Sequence, residues 1–241
     1  MFSEIKKHLK PQHIGVYINP DEIEKSFKQN GVLDFKDFKL NIVSLDDLSL
    51  FLNNSSFLKD LFEKKHFDRS SIAEFKLLDN CLNIPLNFRD SYFASIISDF
   101  IRTQLMLNGD SLTFESVMSS KDKIEILVKA KELGYRVYLY YISTVDSEIN
   151  IRRVASRVAM NGHNVASDKI KSRYYRSLEN LFDASKYTNR AYFFDNSNDL
   201  QLFAQLSVDE ETQESKLEYV SDIRPEWFQK YFSAKVNNII Q

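Results

Sequence analysis

Residues 14–22 read Ile-Gly-Val-Tyr-Ile-Asn-Pro-Asp-Glu. The first part, 14–18, is apolar almost throughout, which is typical of a buried strand in a parallel sheet. Asn19 can cap a following helix, Pro20 suits the first helical position, and the charge of Asp21 is favourable in the first turn. This segment therefore predicts a strand that leads directly into a helix.

The same succession of strand and helix patterns recurs along the chain. Further strands are predicted at 111–114, 136–142 and 191–194, and further helices at 3–9, 91–107, 123–133, 146–160 and 167–185. Such alternation predicts an α/β fold, with a parallel sheet covered by helices on both faces. We assign residues 1–206 to one domain of this kind.

Two segments depart from the alternation. Residues 33–86 show no clear period, and helices that begin near Asp46 and Ser70 are expected there, so we interpret the segment as a helical insert. Residues 207–241 form a C-terminal extension that we expect to pack on the domain.

Within that extension, we predict a loop at 207–214, an edge strand at 216–220 and a helix at 225–236. Trp227 and the other aromatic residues of the helix are expected to dock on the domain, because aromatic side chains contribute large buried areas. A helix that binds a partner is the alternative.

The composition narrows the class of protein. The chain has 241 residues and a formal net charge of −2, which does not suggest a non-specific nucleic-acid or membrane binder. A single cysteine, Cys81, excludes an intramolecular disulfide, and no apolar run resembles a signal peptide or a membrane span, so we expect a cytoplasmic protein. No histidine has metal-ligand spacing with another ligand, and we predict no metal site of the zinc type.

Ligands of an open parallel sheet bind beyond the carboxyl ends of the strands. The polar residues just past predicted strands are Asn19, Asp21, Glu115, Ser116, Ser119, Ser143, Thr144, Asp195 and Asn196. The carboxylate of Asp21 or Glu115 could accept or orient the proton of a hydroxyl that attacks phosphorus. The alternatives are that Asp21 only stabilises the N-terminus of its helix, and that Glu115 is an acid at a strand end by chance.

Arginines flank a predicted turn at 161–164. Arg153 and Arg157 share a face of the helix before the turn, and Arg173 and Arg176 lie on the helix after it. A helical hairpin of this type can close on phosphates, and guanidinium groups suit charge that is spread over phosphoryl oxygens. The alternative is a solvated helical face with surface ion pairs.

Several short blocks occur in an order that resembles a known family. They are Asn19-Pro-Asp-Glu-Ile, Thr113-Phe-Glu-Ser-Val-Met-Ser, Gly134-Tyr-Arg-Val-Tyr-Leu-Tyr, Asn150-Ile-Arg-Arg-Val-Ala-Ser-Arg-Val, Gly162-His-Asn-Val and Lys169-Ile-Lys-Ser-Arg-Tyr-Tyr-Arg-Ser-Leu-Glu-Asn-Leu. Together they resemble the zeta-toxin-like family of P-loop kinases over roughly residues 3–198, apart from the insert. The resemblance implies a P-loop kinase-like fold in which residues 146–180 form a lid.

The resemblance also implies an activity. Zeta toxins bind ATP and Mg²⁺ and transfer the γ-phosphoryl group to a sugar hydroxyl of UDP-N-acetylglucosamine. For this chain it implies a nucleotide-sugar substrate and an antitoxin protein as a partner, while the balanced charge predicts no nucleic-acid or membrane partner. The site residues that it implies are Asp21 and Arg157 for catalysis, Glu115, Asn19 and Ser119 for substrate, and Arg153, Arg173, Asp195 and Asn196 for the nucleotide.

One motif of the family has no counterpart in the sequence. A P-loop needs Gly-x-x-x-x-Gly-Lys-Ser/Thr, whose backbone amides and lysine hold the phosphates, and no glycine here is followed by lysine. Met1 lies where that loop would end, so we expect a missed upstream start or a truncated product. We expect these residues alone to bind ATP weakly or not at all. A catalytically dead remnant that acts as a binding module is the alternative function.

Overall fold

The computed structural model describes residues 5–6, 14–55, 74–160, 164–209, 211–212 and 214–237. The chain divides into two compact units, Met1–Glu115 and Ser116–Gln241. Apart from Ile5, Lys6 and Asn164, the predicted helix at 3–9 and the predicted turn at 161–164 lie outside the described residues.

The first unit contains short strands and three α-helices in its described part. Its elements are β1 (Val16–Ile18), α1 (Pro20–Asn30), β2 (Val32–Asp34), a 3₁₀ turn (Phe35–Phe38), α2 (Leu45–Asn54), β3 (Lys76–Leu78), β4 (Cys81–Asn83), a second 3₁₀ turn (Leu86–Phe88), α3 (Ser91–Asn108) and β5 (Leu112–Phe114). Strand β1 pairs with β5 in parallel. This confirms the predicted strands at 14–18 and 111–114.

Local signals set the ends of α1. The Asn19 side chain accepts a hydrogen bond from the backbone N–H of Asp21, and Pro20 occupies the first turn. Gly31 ends the helix in a left-handed conformation, with φ of 68°, which glycine adopts without steric cost. The side chains of Ile23 and Phe27 are buried and join the core of this unit with those of α3.

The interpretation of residues 33–86 as a helical insert is only partly right. Helix α2 was predicted, but β2, β4 and β3 form a three-stranded antiparallel sheet, so the helix expected from Ser70 is wrong over Lys76–Leu78. Asp79 and Asn80 join β3 to β4 with positive φ angles of 50° and 70°. Two successive residues with positive φ form a tight turn whose twist matches that of the two hairpin strands. Asp and Asn tolerate this conformation better than most residues.

The second unit has a larger sheet. Its elements are α4 (Asp122–Glu132), β6 (Tyr138–Ser143), α5 (Ser147–Ala159), α6 (Ser167–Ser185), β7 (Arg190–Asp195), β8 (Gln201–Val208), β9 (Ser215–Tyr219), α7 (Glu226–Phe228), a π-helical turn (Gln229–Ser233) and α8 (Ala234–Asn237). The strand order is β6-β7-β8-β9. Helices α5 and α6 match the helices predicted at 146–160 and 167–185.

The strand order of the second unit shows that the prediction of a single parallel sheet is wrong. Strands β6 and β7 are parallel, but β8 and β9 add to β7 in antiparallel fashion, so the sheet is mixed. The connection from Asp195 to Gln201 is too short for a crossover helix, and the chain therefore returns antiparallel. Strand β8 was missed, and its last residues, Ser207 and Val208, replace the start of the predicted loop at 207–214.

The aromatic residues of the C-terminal helical segment, 226–237, lie in the core of the second unit. Trp227, Phe228 and Phe232 are at most 4% exposed. The ring of Phe228 lies 4.8 Å from that of Phe193 and 5.0 Å from that of Phe203, so the segment packs directly on β7 and β8. The predicted domain boundary between residues 206 and 207 falls inside β8.

Within the described part of the chain, no helix combines the length and apolar character needed to cross a bilayer.

Candidate functional site

The carboxyl ends of β1 and β5 carry one group of the predicted site residues. Ile18 pairs with Phe114 at the end of the sheet that β1 and β5 form. Asn19 is therefore the first residue after β1, and Glu115 is the first residue after β5. The parallel pairing therefore places both residues at one edge of the first unit, as the strand-end rule predicts. Asp21 follows in the first turn of α1 and is exposed.

A hydrogen-bond network connects these residues. The Tyr17 hydroxyl donates to Glu115 Oε1 at 2.7 Å, and Asn19 Nδ2 donates to the Tyr17 hydroxyl oxygen at 3.1 Å. Asn19 Oδ1 in turn accepts from the Asp21 backbone N–H at 2.9 Å. Both polar groups of the Asn19 side chain are thus used within the protein, which favours a positioning role over direct contact with substrate.

Asp21 and Glu115, which are both exposed, thus follow the ends of two paired strands, Asp21 in the first turn of α1 and Glu115 directly after β5. Carboxylates accept hydrogen bonds from sugar hydroxyls, and one that lies near an attacking hydroxyl can take up its proton. The arrangement suits an acceptor molecule that is rich in hydroxyl groups.

Tyr17 was not among the site residues predicted from the sequence. Burial, followed by the hydrogen bond to Glu115, raises the pKa of the Tyr17 hydroxyl above its usual value, so Tyr17 remains a protonated donor at neutral pH. The available signal was the strand period of two, which directs the side chains at positions 17 and 19 to the same face. Nothing in the sequence pairs Tyr17 with Glu115, which lies 98 residues away.

The carboxyl ends of β6 and β7 carry a second group, in the second unit. The Asn196 backbone N–H donates to the Ser143 carbonyl oxygen at 2.8 Å, which extends the parallel pairing by one hydrogen bond. The Tyr174 hydroxyl donates to the Thr144 carbonyl oxygen at 2.7 Å and so ties α6 to the end of β6. Ser143 and Thr144 are buried, and their hydroxyls bond within the protein.

Asp195 is engaged by the fold on both carboxylate oxygens. Trp227 Nε1 donates to Oδ2 at 3.0 Å, and the Ser197 backbone N–H donates to Oδ1 at 2.9 Å. Asp195 is only 9% exposed. The carboxylate predicted to lie near the nucleotide therefore joins the C-terminal helical segment to the strand end.

The predicted arginines lie on α5 and α6, which contact each other. Arg153 and Arg157 are exposed and one turn apart, and Arg153 Nη2 donates to the Ser197 carbonyl oxygen at 3.5 Å. Arg173 is half-buried on α6. The structure thus brings Arg153 to the segment that follows β7, close in sequence to Asp195 and Asn196.

Ser119 lies in the loop between β5 and α4 and belongs to the second unit, whereas Glu115 ends the first. It is half-buried, and its backbone N–H bonds locally to the Val117 carbonyl oxygen at 2.6 Å.

Among the residues that the structure describes, no group of three or more His, Cys, Asp or Glu side chains is arranged to hold a metal ion.

The chain resembles known proteins over part of its length. A protein of Haemophilus influenzae described as an uncharacterized protein is 42% identical over 60 residues, which is 25% of this chain and 43% of that protein. The match thus spans less than half of that relative. No solved structure matches the chain significantly.

The family model for the zeta toxin matches residues 91–205, from the start of α3 into β8. The matched segment contains Glu115, Ser119, the arginines of α5 and α6, and the Asp195–Asn196 pair, whereas Asn19 and Asp21 lie before it. Over residues 91–205, just under half of the chain, the protein is therefore similar to the zeta toxin family.

Proposed function

We propose that this protein is an ATP-dependent phosphotransferase that phosphorylates a hydroxyl of a small nucleotide sugar such as UDP-N-acetylglucosamine. The observation that carries this proposal is the family match over residues 91–205. The edge formed by Tyr17, Asn19 and Glu115 supports it, because that edge presents the exposed Glu115 carboxylate, which can accept hydrogen bonds from a polyhydroxy acceptor.

In the proposed reaction, the acceptor hydroxyl oxygen forms a bond to the γ-phosphorus of ATP, and the bond from that phosphorus to the β,γ-bridging oxygen breaks to release ADP. Asp21 takes the hydroxyl proton, Glu115 binds the acceptor, and Asn19 holds the start of α1. Ser119 is assigned to the substrate side by the resemblance.

The basic residues have separate roles in the proposal. Arg157 binds the phosphoryl group in transfer, where charge builds up on the oxygens, and Arg153 and Arg173 bind the nucleotide phosphates. Asp195 and Asn196 are assigned to the adenine side. Residues 146–180, which include α5 and most of α6, form the lid, and residues 33–86 border the acceptor side.

The proposed setting is the cytoplasm, where ATP and nucleotide sugars are both present, with an antitoxin protein as the partner. Because residues 1–241 contain no Gly-Lys pair, we propose that they bind ATP weakly by themselves and that transfer requires a glycine-rich phosphate-binding loop.

The proposal is tested by incubating the protein with ATP and a panel of nucleotide sugars and detecting the added phosphate by mass spectrometry. The 241-residue chain and a chain extended by any in-frame upstream residues that end in Gly-Lys-Ser or Gly-Lys-Thr are compared. We expect a phosphorylated sugar with the extended chain only.

Micromolar ATP affinity of the 241-residue chain would contradict the proposed need for the loop. The absence of such upstream residues, together with no transfer, favours a binding module instead.

A further inference from the structure

Tyr17 has no role in the reaction described above, yet its hydroxyl is the centre of the network at the ends of β1 and β5. It contacts Glu115 on one side, at 2.7 Å, and Asn19 on the other, at 3.1 Å. The three residues come from two strands that the register fixes side by side.

The direction of every hydrogen bond in this network follows from one backbone group. The Asp21 N–H is a donor, so the side-chain atom of Asn19 that it contacts must be the oxygen, and this fixes the orientation of the Asn19 amide. The amide nitrogen then donates to the Tyr17 oxygen. The single hydroxyl proton of Tyr17 is therefore left to point at Glu115.

We propose that Tyr17 is a positioning residue of the acceptor site, which orients the Glu115 carboxylate to accept a hydrogen bond from a hydroxyl of the acceptor sugar. This inference rests on the proposed function. One carboxylate oxygen of Glu115 is held by Tyr17, and the exposure of the side chain leaves the carboxylate accessible from solvent.

Fixing Glu115 in advance lowers the cost of binding. A free glutamate side chain loses rotamer freedom when it meets a ligand, and a hydrogen bond from a half-buried tyrosine removes part of that loss before the ligand arrives. Burial and the neighbouring carboxylate keep the Tyr17 pKa raised, so the donor persists across the physiological pH range.

The test uses acceptor binding rather than turnover, because the residues concerned are all in the 241-residue chain. The affinity for UDP-N-acetylglucosamine is measured by calorimetry for wild type, Tyr17→Phe, Glu115→Gln and the double variant. Tyr92→Phe, an exposed tyrosine at the start of α3, is the matched control.

We expect Tyr17→Phe to weaken binding about tenfold, because it loses one hydrogen bond to a charged group. The control should bind like wild type. The effect of Tyr17→Phe should shrink to about threefold or less in the Glu115→Gln background, because coupled residues are not additive. A purely structural loss would be the same in both backgrounds, and that result would overturn the inference.

A second readout separates this inference from the proposed function. NMR of ¹³C-labelled tyrosine at neutral pH should show a shifted Tyr17 ring signal in Glu115→Gln relative to wild type, because the hydrogen-bond acceptor changes, and an unchanged signal would overturn the network. If wild type does not bind the nucleotide sugar, the acceptor class in the proposed function is wrong, and the inferred role for Tyr17 fails with it. If wild type binds and Tyr17→Phe binds equally well, only the inference fails.

Discussion

Asp195 accepts hydrogen bonds from the Trp227 indole and the Ser197 backbone amide, and it is nearly buried. Ser197 continues this network, because its side-chain oxygen accepts from the Val145 backbone N–H at 2.9 Å and its carbonyl oxygen accepts from Arg153. A single carboxylate therefore connects the C-terminal helical segment to the loop between β6 and α5. The stability of this strand end therefore depends on the Asp195 carboxylate, which the family resemblance assigns to the nucleotide.

Replacing Asp195 with Ala should destabilise the protein by about 1–3 kcal/mol, because the buried Trp227 N–H loses its acceptor. The exposed neighbour Asp199 provides the control, and Asp199→Ala should change stability by less than about 0.5 kcal/mol. Trp227 is the sole tryptophan of the chain, so its fluorescence during urea unfolding reports on this contact directly. Equal stability of the two variants would show that the Asp195–Trp227 hydrogen bond contributes little.

The pairing of β1 with β5 is the element that holds the candidate acceptor edge. Gly15 lies just before β1 with φ of 62°, and a Cβ atom there would lie 2.1 Å from the Ser111 carbonyl oxygen. That oxygen also accepts a hydrogen bond from the Val16 backbone N–H at 2.8 Å. The two backbone segments therefore approach too closely for any side chain at position 15. The glycine permits the register that places Asn19 beside Glu115.

Gly15→Ala should therefore be much more destabilising than Gly109→Ala. Gly109 also has a positive φ, of 78°, but an added Cβ atom would meet nothing within 4 Å. The Gly109 variant should lose about 1 kcal/mol from backbone strain alone, while the Gly15 variant should lose that amount and the cost of separating two backbones. Urea unfolding measures both. Similar losses would contradict the close approach of β1 and the segment before β5.

Elements marked by strong local signals were predicted from the sequence. Asn19 and Gly31 mark the ends of α1, and the regular apolar stripe of α3 is closed by Gly109. The β3–β4 hairpin was missed, since each strand has three residues and the turn at Asp79–Asn80 lacks the glycine that usually marks such turns.

The candidate site was predicted in part for the same reason. The strand-end rule needs only the positions of the strands, and it selected Asn19, Asp21 and Glu115. It could not find the hydrogen bond from Tyr17 to Glu115, because that contact depends on which strands are neighbours. The roles of Arg157 and Arg173 remain predictions that rest on the family resemblance.

In the whole molecule, the segment that the family model matches contains only part of the candidate acceptor edge at the ends of β1 and β5. Residues 91–205 include Glu115 and Arg157, and they extend across the division between the two compact units. Asp21 lies outside the matched segment, at the end of a strand that pairs with β5 inside it. The proposed catalytic role of Asp21 therefore depends on its position after β1.

The most direct measurement is the rate of phosphoryl transfer from ATP to the nucleotide sugar by wild type, Asp21→Asn and the control Glu22→Gln, in a chain that has the phosphate-binding loop. Glu22 is the next residue of the same helical turn and is also exposed, so it controls for the loss of one negative charge there. We predict that Asp21→Asn abolishes transfer while ATP binding is retained, and that Glu22→Gln transfers at nearly the wild-type rate. Undiminished transfer by Asp21→Asn would contradict the account.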